Sequence, residues 1–283
     1  MIRLPEKISL PGGVRANEDA VGSGENYIFV LDGATVLGDR TYMDDVSDAA
    51  WLVHQTAAAL ERDLPDEMLS ISEILRRAMQ QLLTQWKGPA DALPSAGIAV
   101  FRLRDDRLEY FGLGDCSADV MRRDGTHCFW EEEALQKLDA AALAEAMQYR
   151  RETGCSAAAA RQHIQPTLIR NRALRNQPGG YWCLDPSGVG IAHARCASIP
   201  ADACASLFLC SDGFAQLIGF CEADDLSVLH EKAQETGLPL LTERLFALQD
   251  ADAELLVLPR FKLRDDSSAV LAEVDSNAAS REE

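Results

Sequence analysis

The stretch Tyr27-Ile28-Phe29-Val30-Leu31-Asp32-Gly33 places five apolar residues directly before an Asp-Gly pair. Such a run is typical of a buried strand, and the aspartate falls where the strand ends. Three more acidic stretches lie beside strand-like runs: Gly112-Leu113-Gly114-Asp115, Leu209-Cys210-Ser211-Asp212-Gly213 and Asp265-Asp266-Ser267-Ser268. A carboxylate in such a place is costly unless it is solvated, hydrogen-bonded or bound to a cation. Converging carboxylates therefore predict a site for a hard divalent cation such as Mg²⁺ or Mn²⁺, which takes oxygen ligands.

The length and charge limit the class of protein. The chain has 283 residues with 27 Lys and Arg against 45 Asp and Glu, a formal charge of −18. No internal repeat or linker divides it, so we expect one domain over residues 1–274, followed by a polar, disordered tail over residues 275–283. Nucleic acid is not an expected partner, because phosphate contacts need a basic surface.

Neither a membrane segment nor a secretory signal is expected. The N-terminus has no long apolar region, and no run of 18 apolar residues occurs. The eight cysteines include no Cys-x-x-Cys pair, which argues against a structural zinc site and fits a reducing cytoplasm. Nothing in the sequence specifies an oligomeric state.

The order of the predicted elements indicates the fold class. Apolar residues recur at helical spacing over residues 46–60 and 71–86, and Ser70 with Glu73 fits a capping box at the second helix. A second helix pair is predicted over 131–151 and 156–175, with a break near Pro166. Strands are predicted before, between and after these pairs, including residues 97–103, 107–113, 190–194 and 269–274. Because helices and strands do not alternate strictly, the order favours an α+β layered sandwich of mostly antiparallel sheets.

The acidic motifs resemble, in order, those of the metal-dependent protein phosphatase family (PPM, type 2C). The resemblance extends from about Ile8 to Val274 and implies a four-layer α-β-β-α sandwich. The residues that carry it are Asn17-Glu18-Asp19-Ala20, Leu31-Asp32-Gly33, Gly114-Asp115-Cys116-Ser117, Ser211-Asp212-Gly213-Phe214 and Asp266-Ser267-Ser268.

The resemblance also implies a set of metal ligands for two Mg²⁺ or Mn²⁺ ions. Asp32 would bridge both ions, and the Gly33 carbonyl would bind one of them. Asp212 and Asp266 would bind the other ion. Glu18 and Asp19 would hold metal-bound water. Asp115, together with Asp212, would hold a weaker third ion, whereas Asp265 is interpreted as a solvated neighbour of Asp266.

The activity implied by the resemblance is hydrolysis of phosphoserine or phosphothreonine on proteins, in a signalling role. Water shared by the two ions would attack phosphorus, with Asp32 and Asp212 as the catalytic carboxylates. Arg15 is the candidate phosphate clamp, because guanidinium matches phosphate oxygens with paired donors. A surface ion pair between Arg15 and the acids of residues 18–19 is the alternative.

Four departures from the family pattern keep two other functions open. Arg15 is one residue closer to the Asn-Glu-Asp block than is usual, Ala34-Thr35 follow the Asp-Gly motif, Cys116 replaces serine and Ser267 replaces asparagine. The alternatives are a phosphatase-like binding module with little turnover and a phosphatase of a small phosphorylated metabolite. By analogy with the family's variable flap, residues 131–178 would select the substrate.

The histidines have no metal-ligand spacing and are interpreted as structural or surface residues. They are His54, His127, His163, His193 and His230.

Overall fold

The computed structural model describes residues 1–13, 16–34, 41–43 and 47–275. The strands of this part are β1 (Ile2–Leu10), β2 (Asp19–Ser23), β3 (Tyr27–Ala34), β4 (Ser95–Arg104), β5 (Arg107–Leu113), β6 (Ser117–Arg122), β7 (His127–Trp130), β8 (Arg195–Pro200), β9 (Cys204–Cys210) and β10 (Ser267–Val274). The helices are α1 (Asp48–Asp63), α2 (Ile71–Gln85), α3 (Glu133–Thr153), α4 (Ala157–His163), α5 (Gln165–Ala173), α6 (Asp212–Gly219), α7 (Leu226–Thr236) and α8 (Leu238–Ala251).

The strands form two five-stranded sheets. Sheet A has the order β1-β10-β9-β6-β7, and sheet B has the order β2-β3-β4-β5-β8. Neighbouring strands in both sheets pair antiparallel. Hairpins such as β4–β5 connect strands that are adjacent in the chain, as the predicted element order requires.

Alternation along the strands explains the layers. In β3, Ile28 and Val30 pack between the sheets, whereas Phe29 and Leu31 pack against α1 and α2 on the outer face of sheet B. On the outer face of sheet A, Phe208 packs against α6, α7 and α8. Both faces of the central strands are covered, so strands such as β4 and β9 read as continuous apolar runs. The predicted four-layer α-β-β-α sandwich is confirmed.

Local signals place two of the helix boundaries. Ser70 accepts a hydrogen bond from the Glu73 amide, and the Glu73 carboxylate accepts one from the Ser70 amide, so the predicted capping box begins α2. The predicted break near Pro166 separates α4 from α5, and the proline occupies the first turn of α5, where its missing N–H costs no hydrogen bond. Helices α3, α4 and α5 bury a small apolar cluster of their own.

The segment before β8 differs from the prediction. The sequence predicts a strand over residues 190–194, but Val189–His193 form a 3₁₀ helix and the strand starts at Arg195. Gly188, at φ +69°, begins this turn, and Gly190 lies so close to the Cys183 carbonyl that a Cβ atom would be 2.1 Å from its oxygen. Close backbone packing therefore overrides the apolar pattern.

Residues 276–283 of the expected tail, and Val46 of the first predicted helix, lie outside the described residues. Among the described helices, none has both the length and the apolar character needed to cross a membrane.

Candidate active site

Strand register brings the predicted aspartates to one end of the sandwich. In sheet B, Asp32 lies opposite Asp19 on one side and opposite Gly97 on the other. In sheet A, Cys210 at the end of β9 pairs with Ser117 and Ala269, so Asp212, Asp115 and the acids before β10 come to the same end. Residues far apart in the chain are thereby assembled into one acidic cluster.

Asp19 and Asp32 form the inner part of this cluster. Asp19 is only 4% exposed, and the Oδ2 atoms of both aspartates are buried with no hydrogen-bond partner among the described residues. Burial, followed by the charges of Asp19 and Asp212, raises the pKa of Asp32 well above its usual range. Burial also raises the pKa of Asp19, although a hydrogen bond from Ser268 opposes this effect. Two orphaned carboxylate oxygens in one place are costly unless a cation neutralises them.

Asp212 and Asp115 form the outer part. Asp212 keeps contact with solvent, yet the protein packed around it and the charge of Asp265 raise its pKa to about 7. Its carboxyl group hydrogen-bonds that of Asp32. Burial and the charge of Asp139 raise the pKa of Asp115 to about 6, although Arg172 opposes this rise. Without an ion, the cluster must hold protons to relieve its repulsion.

The two acids before β10 have different surroundings. Both oxygens of Asp266 accept backbone hydrogen bonds, from the Gly12 amide at 2.8 Å and from the Glu18 amide at 2.7 Å. Asp265 is the neighbouring charge that raises the pKa of Asp212 most, and it accepts a hydrogen bond of 2.5 Å from Lys262 Nζ. Asp265, which the sequence analysis interprets as a solvated neighbour, is therefore the acid of this pair whose charge raises the pKa of Asp212. Asp266 instead connects the segments next to β1 and β2 to the start of β10 through its two hydrogen bonds.

Glycines allow the strands to approach closely at this end. A Cβ atom on Gly97 would lie 2.4 Å from Asp115 Oδ1, and one on Gly33 would lie 2.4 Å from the Glu18 carbonyl oxygen. Gly114, at φ +75°, packs directly against Gly97, since a Cβ atom on Gly114 would lie 2.7 Å from the Gly97 Cα atom. These contacts leave no room for a side chain between Asp115 and the Asp32 strand.

The α3–α5 segment adds two charged residues that the sequence analysis did not single out. Asp139 on α3 has its pKa raised to about 6 by burial and by Asp212. The positive charge of Arg172 on α5 opposes the rise in the pKa of both Asp139 and Asp115. No motif marks either residue; only their place in the predicted flap connects them with the site.

A cavity of about 260 Å³ lies beside this cluster. Gly114 and Cys116, which flank Asp115, form part of its wall, and Trp182 and Arg195 form another part. Arg15 and Thr35 lie outside the described residues. Of the predicted ligands, Asp19, Asp32, Asp115 and Asp212 come together, and Glu18, Gly33 and Asp266 lie beside them.

The fold that carries this cluster is that of serine/threonine phosphatases of the metal-dependent family. PstP/Ppp of Mycobacterium tuberculosis is 16% identical, with 97% of this chain and 100% of that chain aligned at a TM-score of 0.56. The PstP catalytic domain in complex with two manganese ions is 18% identical, with 97% and 99% aligned at 0.54. Stp1 of Staphylococcus aureus is 13% identical, with 97% and 96% aligned at 0.57. These likenesses concern the fold.

No protein-family model matches the sequence, and no curated protein matches it.

Proposed function

We propose that the chain is a Mg²⁺- or Mn²⁺-dependent phosphomonoester hydrolase that acts on phosphoserine or phosphothreonine in proteins. The observation that carries this proposal is the pair of buried Oδ2 atoms of Asp19 and Asp32, which lie in a cluster of carboxylates and have no hydrogen-bond partner in the described ranges. The fold shared with PstP and Stp1 supports it.

The donor set fits hard cations. Every candidate ligand offers oxygen, which Mg²⁺ and Mn²⁺ prefer. Asp32 would bridge two ions, with the Gly33 carbonyl on one and Asp212 on the other. The ligand position that the resemblance gives to Asp266 fits Asp265 better. The charge of Asp265 raises the pKa of Asp212, whereas both oxygens of Asp266 already accept hydrogen bonds from backbone amides. When bound, two such ions lower the pKa of a shared water and neutralise charge on the phosphoryl group.

The remaining residues of the site have positioning roles. Asp19, held opposite Asp32 in sheet B, and Glu18 would orient water around the ions. Asp115 and Asp139 bring carboxylates to the outer side of Asp212, where a third, weaker ion would be held.

Two cations flank the cluster and would attract a phosphate dianion. They are Lys262, beside Asp265, and Arg172, beside Asp115. Arg15 stays a proposed phosphate clamp. Ala34 stands where the family often has a histidine, so the leaving group would take its proton from water.

The departures at Cys116 and Ser267 leave the carboxylates in place. Cys116 is 2% exposed and packs between the sheets, and Ser267 is fully buried. Burial raises the pKa of the Cys116 thiol well above its usual range, so it is not a thiolate nucleophile. Both changes affect packing beside the site, and they do not remove an oxygen ligand.

Hydrolysis of p-nitrophenyl phosphate with EDTA, Mg²⁺ or Mn²⁺ tests this proposal, with Asp212→Asn as the variant and Asp106→Asn, on the exposed β4–β5 turn, as the control. We expect activity that requires metal, is lost in the first variant and is kept in the second. A folded protein that is inactive with every metal would favour the binding module instead. Comparing phosphopeptides with phosphorylated metabolites then identifies the substrate class.

A further inference from the structure

A second cluster of metal-binding side chains lies on the helix-facing side of sheet A. Asp119 on β6, His127 on β7 and His230 on α7 meet there, and their nearest ligand atoms all lie within 4.8 Å of one another. Ala118 and Val120, the neighbours of Asp119, pack between the sheets, so Asp119 points the opposite way, toward α7. Asp119 is four residues beyond Asp115, about 13 Å along an extended strand.

The contacts inside this cluster converge on one oxygen atom. Asp119 Oδ2 lies 2.6 Å from His127 Nδ1 and 2.7 Å from His230 Nδ1. Asp119 and His230 are fully buried, and the His127 side chain is 12% exposed. Asp119 Oδ1 is also buried, and it has no hydrogen-bond partner in the described part of the chain. A buried carboxylate with one crowded oxygen and one orphaned oxygen is poorly satisfied by protein alone.

An outer hydrogen bond holds the His230 ring in the orientation that a metal ligand requires, since His230 Nε2 lies 2.9 Å from Ser206 Oγ. His127 Nε2 lies 3.5 Å from Glu231 Oε1 and has no hydrogen-bond partner among the described residues. Metal-bound histidines typically donate their second ring N–H to an oxygen, which fixes the tautomer and directs the other nitrogen at the ion. Here both Nδ1 atoms face Asp119, and the Nε2 atom of His230 has such an oxygen partner in Ser206.

We infer that Asp119, His127 and His230 form a binding site for Zn²⁺ or a similar first-row transition-metal ion, separate from the aspartate cluster. Two imidazole nitrogens with one carboxylate oxygen select such ions over Mg²⁺ and Ca²⁺, which prefer oxygen donors alone. Each neutral imidazole would carry its proton on Nε2 and offer the Nδ1 lone pair to the ion, and water at the partly exposed His127 side would supply a fourth ligand. Bound there, it joins β6, β7 and α7 across the outer face of sheet A.

A hydrolytic relay of Ser206, His230 and Asp119 is the competing interpretation of the same contacts. Ser206 is 1% exposed and His230 is fully buried. No substrate reaches a hydroxyl group that is enclosed in this way, whereas an ion can enter past His127. The cluster therefore fits metal binding better than acyl transfer.

Co²⁺ binding to the full chain, in the presence of saturating Mg²⁺, tests the inference. A site with two nitrogens and few ligands gives intense visible absorption bands, whereas an all-oxygen, six-coordinate site gives weak ones. We expect intense bands at one Co²⁺ per chain, displaced by Zn²⁺. His127→Asn should weaken Co²⁺ binding at least tenfold, and His54→Asn, on the exposed face of α1, should leave it unchanged.

Thermal unfolding gives a second readout that does not depend on hydrolysis. Zn²⁺ should raise the melting temperature of the wild type and of His54→Asn, and should raise that of His127→Asn much less, because binding to the native state alone stabilises it. Hydrolysis of p-nitrophenyl phosphate should continue in His127→Asn. Weak bands alone in the folded wild type, or intense bands that persist in a folded His127→Asn variant, would overturn the site.

Discussion

Replacing Asp32 with asparagine should change stability in opposite directions with and without metal. Asp32 faces Asp19 across neighbouring strands and has Asp212 and Asp265 close by. Opposed side chains in an antiparallel pair lie about 5 Å apart. Two unit charges at that distance repel by roughly 3 kcal/mol at an effective dielectric constant of 20. Proton uptake by the cluster relieves part of this repulsion, so asparagine should stabilise the metal-free protein by about 1–2 kcal/mol at pH 8.

Bound metal should reverse the sign of the stability change that Asp32→Asn causes. An ion present at 100 times its dissociation constant stabilises the native state by about 2.7 kcal/mol, so two ions supply roughly 5 kcal/mol. Asp32 is the proposed bridge between both ions, and its asparagine variant should lose most of this gain. The variant should therefore be less stable than the wild type in Mn²⁺ by about 3 kcal/mol, although it is the more stable protein in EDTA.

Urea unfolding in EDTA and in Mn²⁺ measures both differences, with Asp106→Asn as the matched surface control. The control should match the wild type in both buffers. A loss of stability in Asp32→Asn that is equal in EDTA and Mn²⁺ would show that Asp32 stabilises the fold through hydrogen bonds and is neither repelled by its neighbours nor a metal ligand.

Three further predictions follow from the same structure. Gly97→Ala should destabilise the protein by about 1–3 kcal/mol and weaken metal-dependent hydrolysis, since its Cβ would lie 2.4 Å from Asp115 Oδ1; urea unfolding and kinetics check this. Ser70→Ala should cost about 1 kcal/mol by removing the capping box with Glu73 and leave the metal dependence of hydrolysis unchanged. The metal-free protein should lose stability as pH rises from about 4 to 7, because the folded state holds a proton on Asp212, with a pKa of about 7, that the unfolded chain releases near pH 4; urea unfolding across this pH range in EDTA measures it.

Apolar runs ending in aspartate made the strands and one end of the sandwich predictable from sequence. The run before Asp32 forms β3, and the register then fixes the place of Asp19 opposite it. Local signals also predicted the Ser70 cap and the break at Pro166, because each acts within a few residues of chain.

Tertiary contacts determine the parts of the site that the sequence does not predict. Asp265 and Asp266 are adjacent acids that the sequence does not distinguish. The amides of Gly12 and Glu18, both more than 240 residues away along the chain, donate hydrogen bonds to Asp266. Asp265 is then the acid whose charge raises the pKa of Asp212. Asp139 reaches the site because α3 packs over it, and no local pattern records that packing.

The cluster of Asp119, His127 and His230 is likewise not predictable from sequence, because tertiary contacts assemble it. From sequence alone, His127 and His230 are structural or surface residues, because their spacing resembles no metal motif. The pairing of β6 with β7 and the packing of α7 on sheet A bring them to one Asp119 oxygen. Ligand spacing is readable from sequence when one helix or loop holds the ligands, and it is not readable when three elements do.

Calorimetric titration of Mn²⁺ into the metal-free protein measures whether the converging aspartates form a divalent-metal site. We expect at least two ions bound to the wild type with release of protons, and loss of this binding in Asp32→Asn and Asp212→Asn. A folded wild type that binds no Mn²⁺, or variants that bind it as the wild type does, would show that the aspartates do not form a metal site.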